Sequence, residues 1–111
     1  MTLTDVSRPE TPPKVMTGKE QEMMETEIEI INKLGLHARA AAKLVNVTAQ
    51  YQSKIQLKRG DRTIDAKSIM ALLMLGAGKG STLRLIVDGP DAQAAHDAVI
   101  ALINNRFDEA E

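Results

Sequence analysis

Three short segments of this chain alternate apolar and polar residues, and this alternation limits the fold more than any other feature. In ETEIEII (residues 25–31) isoleucines alternate with glutamates, and SKIQLKR (53–59) and TLRLIVDG (82–89) repeat the pattern. A two-residue period predicts a strand with one buried face and one face in water. Such strands form an antiparallel sheet that helices cover on one side only. The side chains predicted to point inward are Ile28, Ile30, Ile55, Leu57, Leu83, Leu85 and Val87.

The remaining segments supply three helices and a fourth strand. Apolar residues recur with helical spacing in residues 38–50, 68–75 and 91–107. The glycine-containing RGDR predicts a hairpin into the short strand TIDA (63–66). The element order is therefore β-α-β-β-α-β-α. We predict an α/β (α+β) fold, a two-layer open-faced sandwich with a four-stranded antiparallel sheet and three helices on one face.

Length and composition indicate one domain with an extension in front of it. The 111 residues are enough for a single domain of ordinary size. Residues 1–22 hold three of the four prolines and show no apolar periodicity, so we predict a disordered N-terminal tail there. Residues 23–111 are then the folded domain, which we expect to be a monomer.

Charge and composition exclude several classes of function. The net charge is −1, with one Tyr and one Phe, so the residues that bind phosphate backbones and stack on bases are scarce, and we expect no nucleic-acid binding. Without cysteine and with two histidines, we expect neither a disulfide framework nor a metal site. The glycine patterns of nucleotide-binding loops are absent, so we expect no cofactor. Neither a membrane-spanning run nor a signal-peptide pattern occurs, which predicts a cytoplasmic protein.

The segment GLHARAAAKL places His37 at the start of the first predicted helix. The first amides of a helix lack partners within it, and the helix dipole adds partial positive charge, so this end attracts anions. A phosphoryl group on the His37 ring would meet the first-turn amides of Ala38, Arg39 and Ala40, and the Arg39 side chain could add a charge-assisted hydrogen bond. Neutral imidazole is a competent nucleophile. The alternative is a histidine that only caps the helix.

The same segment resembles the active-site segment of the HPr family, the histidine phosphocarriers of the phosphoenolpyruvate-dependent phosphotransferase system. DAKSIMALLML followed by GAGKGS resembles the family's second helix and glycine-rich turn, and the resemblance covers residues 25–108. It implies that phosphorylated Enzyme I phosphorylates His37 on Nδ1, that Arg39 assists, and that an Enzyme IIA-type protein then accepts the group. Many family members have proline where this chain has Ala40, and alanine restores one amide in the first turn.

Ser68 starts the second predicted helix as its N-cap. By resemblance it matches the serine that HPr kinase/phosphorylase modifies in some family members, which implies a regulatory role. The helix holds more apolar residues than it needs to bury: Leu72 and Leu75 are predicted to face the core. Three further residues are predicted to form an exposed patch that docks partner proteins, and the alternative is that they too are buried. These patch residues are Ile69, Met70 and Leu73.

The branch of the family is predicted from three further strings. IINKLGLHARAAAKL, GKGS and the acidic ending NNRFDEAE resemble the nitrogen-regulatory branch (NPr) more than the sugar-transporting branch. We therefore predict a carrier, not an enzyme, in a regulatory phosphotransferase system. The alternatives are a sugar-type HPr, an interaction module controlled by phosphorylation of Ser68, and an α/β sandwich that senses a small molecule.

Overall fold

The computed structural model describes residues 22–110, so the predicted tail lies outside the described residues except for Glu22. Elements follow one another in the predicted order. A short 3₁₀ turn ends the series at Arg106–Asp108. The strands and helices are β1 Glu22–Glu29, α1 Ala38–Thr48, β2 Lys54–Arg59, β3 Arg62–Asp65, α2 Ile69–Leu75, β4 Thr82–Gly89 and α3 Ala92–Asn104.

The alternation predicts a strand over residues 25–31, whereas β1 spans Glu22–Glu29. The strand therefore begins three residues earlier and ends two residues earlier than predicted. Met23 is exposed, whereas Met24 packs against the core. Because the two neighbouring methionines have the same hydropathy, the two-residue period is invisible in the sequence at this point.

β4 is at the centre of the sheet, whose strand order is β1-β4-β2-β3 with every neighbouring pair antiparallel. Leu85 of β4 is opposite Thr26 of β1 on one side and Leu57 of β2 on the other. The predicted hairpin joins β2 to β3 through Gly60. The four-stranded open-faced sandwich that the sequence predicts is confirmed.

The core lies between the sheet and the three helices. All seven strand side chains predicted to point inward have a relative exposure of 7% or less, and Leu72 and Leu75 of α2 are buried as predicted. α1 and α3 contribute mainly small residues, which lets the helices approach the sheet closely. Their buried residues are Ala40, Ala41, Leu44 and Thr48 from α1, and Ala92, Ala95, Val99 and Ile103 from α3.

The last helix is shorter than predicted. The periodicity predicts a helix to residue 107, but α3 ends at Asn104. The Asn105 side chain donates a hydrogen bond to Asp108 Oδ1 (2.7 Å). Local side-chain bonds of this kind offer asparagine and aspartate an alternative to helical pairing. The apolar period nevertheless locates Phe107 correctly, because this side chain is fully buried.

The backbone beyond α3 is left-handed over three consecutive residues. Arg106, Phe107 and Asp108 have φ angles of 55°, 54° and 64°. Each non-glycine residue held in this region costs about 1–3 kcal/mol and persists only where the surroundings enforce it. Burial of the Phe107 ring, together with the Asn105 hydrogen bond to Asp108, supplies that enforcement. The turn reverses the chain and returns it toward the start of α1.

We expect Phe107→Ala to lower the free energy of unfolding by about 3–5 kcal/mol, because it deletes a buried ring and leaves a cavity. Urea denaturation followed by circular dichroism measures the change. Met74→Ala is the matched control, since this side chain is 65% exposed. We expect the control to stay within about 0.5 kcal/mol of wild type. Equal losses in both variants would show that Phe107 does not anchor the turn.

Candidate functional site

His37 is the N-cap residue of α1. Its backbone is extended, and its carbonyl accepts the first helical hydrogen bond, from Ala41 (2.8 Å). The backbone N–H of Arg39 donates to His37 Nδ1 at 3.3 Å. Because Nδ1 accepts this bond, the neutral ring carries its proton on Nε2. Nδ1 therefore presents its lone pair at the positive end of the helix.

Gly35 sets the approach of the loop that leads into α1. Its φ is +69°, and a Cβ atom there would lie 2.6 Å from the carbonyl oxygen of Ala77 and 2.7 Å from Cα of Gly78. The next residue, Leu36, donates its backbone N–H to that same Ala77 oxygen at 2.9 Å. Only glycine fits both the left-handed backbone and the contact. The loop therefore approaches the turn after α2 closely at Gly35, and this contact fixes the position of His37.

Asn32 ties this loop to the end of the chain. The side chain is fully buried, and its Nδ2 donates to the Gly35 carbonyl (2.8 Å) and to Glu109 Oε1 (3.1 Å). Its Oδ1 has no hydrogen-bond partner among the described residues. The orientation of the amide is therefore set by its two donated bonds.

Glu109 is a residue of the site that no pattern in the sequence predicts. Its Oε2 accepts a hydrogen bond from His37 Nε2, across 72 positions of sequence. Burial raises the pKa of Glu109, but the hydrogen bonds that it accepts from Asn32 and His37 and the positive charge of Arg39 outweigh this effect, so the pKa lies below its ordinary value. The carboxylate is thus ionised at neutral pH. No spacing rule connects residues so far apart, and the acidic ending carried no other signal of this role.

Arg39 completes the site. Ala38 and Arg39 are exposed, whereas the Ala40 methyl group is in the core, so Ala40 offers only its backbone N–H to a ligand. An open cleft of about 650 Å³ lies in front of the histidine. It is lined by Lys33, Leu34, His37, Arg39, Glu109 and Ala110.

Residues 22–110 form neither a metal-binding cluster nor a helix that could span a membrane. No group of three or more histidine and acidic side chains is arranged to hold a metal ion. No helix in this range is long and apolar enough to cross a membrane.

Comparisons with known proteins identify the family of this chain. The family model described as "PTS HPr component phosphorylation site" matches residues 24–105. The chain belongs to the HPr family. Members of this family are the phosphocarriers of the phosphotransferase system.

Individual relatives span nearly the whole domain. The chain is similar to the phosphocarrier protein HPr of Cupriavidus necator, with 54% identity over 80% of this chain and 100% of the relative. It is also similar to the phosphocarrier protein NPr of Shewanella violacea, with 45% identity over 78% of this chain and 96% of the relative. The crystal structure of HPr-C-His from Thermoanaerobacter tengcongensis superposes with a TM-score of 0.77 at 38% identity, covering 79% of this chain and 99% of that one.

The other predicted site residues of this HPr-family chain lie on α2. Ser68 caps that helix, because its Oγ accepts a hydrogen bond from the backbone N–H of Ala71 at 3.1 Å. Neither it nor the predicted patch lines the cleft at His37. The patch residues are exposed, at 40% for Ile69, 67% for Met70 and 37% for Leu73. Met74, 65% exposed, extends the patch and was not predicted.

We expect Gly35→Ala to destabilise the protein by more than Gly60→Ala, although both glycines have φ of +60° or more. A methyl group at Gly60 meets nothing within 4 Å, so only the cost of holding alanine in the left-handed backbone conformation applies, about 1–2 kcal/mol. At Gly35 the clash with backbone atoms is added, and the total should exceed about 2 kcal/mol. Urea denaturation of both variants measures the difference. Equal losses would contradict the close contact at Gly35.

Proposed function

We propose that His37 accepts a phosphoryl group on Nδ1 from phosphorylated Enzyme I and passes it to a histidine of an Enzyme IIA-type protein. The observation that carries this proposal is the position of Nδ1, which stands at the start of α1 within hydrogen-bond distance of a main-chain N–H and beside an open cleft. The protein would act as a monomeric carrier and would transform no small molecule itself.

The transfer needs little from the protein beyond position and charge. The Nδ1 lone pair forms a bond to phosphorus as the bond between phosphorus and its donor atom on Enzyme I breaks. The Arg39 N–H, which bonds Nδ1 before the reaction, is then available to a phosphoryl oxygen, together with the neighbouring amides of Ala38 and Ala40. The Arg39 guanidinium adds positive charge on the same side. Transfer to the acceptor reverses these steps.

The exposed apolar residues of α2 are proposed as the docking surface for both partners. Ile69, Met70 and Leu73 form the predicted patch, and Met74 enlarges it. Unbranched methionine side chains adapt to surfaces of different shape, which suits a protein that must bind a donor and an acceptor in turn.

The branch of the family stays a prediction from the sequence strings. The relatives include proteins named HPr and a protein named NPr. We propose the nitrogen-regulatory type, with the sugar type as its alternative. The rates at which Enzyme I of each type phosphorylates this chain would distinguish the nitrogen-regulatory type from the sugar type.

We expect wild-type protein, incubated with phosphoenolpyruvate and purified Enzyme I, to gain one acid-labile phosphoryl group, and His37→Ala to gain none. The reaction is run in parallel with Enzyme I of the nitrogen type and of the sugar type, and intact-mass spectrometry counts the groups. Circular dichroism verifies that the variant is folded. A folded His37→Ala protein that still becomes phosphorylated would place the acceptor elsewhere.

We expect Met70→Glu to weaken docking to Enzyme I by about tenfold, because central interface side chains commonly contribute more than about 1 kcal/mol. The KM of Enzyme I for the carrier measures the effect. Met23→Glu is the matched control, since Met23 is 60% exposed but belongs to β1. An unchanged KM for Met70→Glu, or an equal change in both variants, would remove α2 from the docking surface.

Ser68 is proposed as a regulatory phosphorylation site for HPr kinase/phosphorylase. A phosphate there would add negative charge next to the apolar docking patch and so weaken the binding of partners. We expect wild-type protein, but not Ser68→Ala, to take up phosphate from ATP and this kinase, as measured by mass spectrometry. The absence of uptake by the folded wild-type protein would leave Ser68 with its capping role alone.

A further inference from the structure

The second ring nitrogen of His37 has a partner that phosphoryl transfer through Nδ1 does not use. Nε2 donates a hydrogen bond to the side chain of Glu109. The left-handed turn after α3 brings this side chain to the site. The turn is held by the buried ring of Phe107 and by an ion pair between Lys43 of α1 and Asp108 (3.8 Å). A strained segment that is held at several points and ends at a reactive group points to a function.

The Glu109 carboxylate is largely shielded from water, and hydrogen bonds hold it beside the His37 ring. Its side chain is only 14% exposed, compared with 55% for its neighbour Asp108. Each of its oxygens has a separate donor, Asn32 for Oε1 and His37 for Oε2. Asn32 is itself fully buried. Its hydrogen bond therefore orients the Glu109 carboxylate before any phosphoryl group reaches His37.

We propose that Glu109 is a positioning residue that keeps the proton on Nε2 while Nδ1 carries the phosphoryl group, and thereby keeps the phosphohistidine a good donor. The inference rests on the proposed function of His37. A carboxylate in contact with the distal N–H of a reactive histidine fixes the tautomer and stabilises the charged ring in the same way in serine hydrolases.

The proton balance of the two transfers explains why this matters. When Nδ1 bonds to phosphorus, Nε2 keeps its hydrogen, and the ring carries a positive charge that Glu109 compensates. When the bond between Nδ1 and phosphorus breaks toward the acceptor, the ring leaves as neutral imidazole, still protonated on Nε2. No proton enters or leaves in either step. Without the carboxylate, the ring would hold the Nε2 proton less firmly, and a ring that had lost this proton would have to leave as an imidazolate anion in the second transfer.

The test compares wild type with Glu109→Gln, Glu109→Asp and the matched control Glu29→Gln, which also removes one negative charge, from an exposed residue of β1 that does not line the cleft. Each protein is phosphorylated with phosphoenolpyruvate and Enzyme I and then freed of both. Loss of the phosphohistidine signal is followed by ³¹P NMR across a range of pH. Transfer to a purified Enzyme IIA-type acceptor is timed in parallel.

We expect the pH midpoint of phosphohistidine hydrolysis to fall by about one unit in Glu109→Gln, which corresponds to about tenfold slower loss and slower transfer at neutral pH. Glu109→Asp, which keeps the charge on a shorter side chain, should lie between Glu109→Gln and wild type. Glu29→Gln should match wild type. A merely structural role for Glu109 would lower stability without moving the midpoint.

Two results would overturn the inference, and they are distinguishable. If all four proteins become phosphorylated and their pH profiles coincide, Glu109 does not hold the proton, and the carrier function of His37 stands. If folded wild-type protein accepts no phosphoryl group from Enzyme I, the proposed function fails and the inference fails with it.

Discussion

The antiparallel pairing of β4 with β1 on one side and with β2 on the other determines where every other part of the molecule can lie. Each strand buries a single face, so all three helices must pack on the same side of the sheet. The loop after β1 and the loop after α2 then meet, and the hydrogen bond between Leu36 and Ala77 joins them. The sheet fixes the ends of these connections, and the connections form the site.

The His37 ring lies between two opposite charges as a result. Nδ1 faces the partial positive charge of the α1 N-terminus, and Nε2 faces the Glu109 carboxylate. The two nitrogens are therefore chemically different before any partner binds. In the proposed phosphoryl transfer, such pre-orientation removes the cost of reorganising the ring.

The parts of the fold that the sequence predicts are those controlled by local periodicity. Alternation identifies the inward side chains of the strands, and the N-terminal position of His37 follows from helix-start physics. Glu109 was not predictable in this way, because its place depends on three consecutive left-handed residues, Arg106–Asp108, a conformation that non-glycine residues adopt only uncommonly. Met74 was missed for a different reason: nearly every residue of α2 is apolar, so periodicity does not separate exposed from buried positions.

The cleft at His37 opens on one side of the molecule, and this has a kinetic consequence for a carrier. A donor and an acceptor that both need the same ring nitrogen exclude each other, so the carrier must leave the first protein before it meets the second. Flux through such a relay is then limited by dissociation and by the concentration of free carrier. A surface that bound either partner very tightly would slow the relay, so modest affinity is a requirement of the arrangement itself.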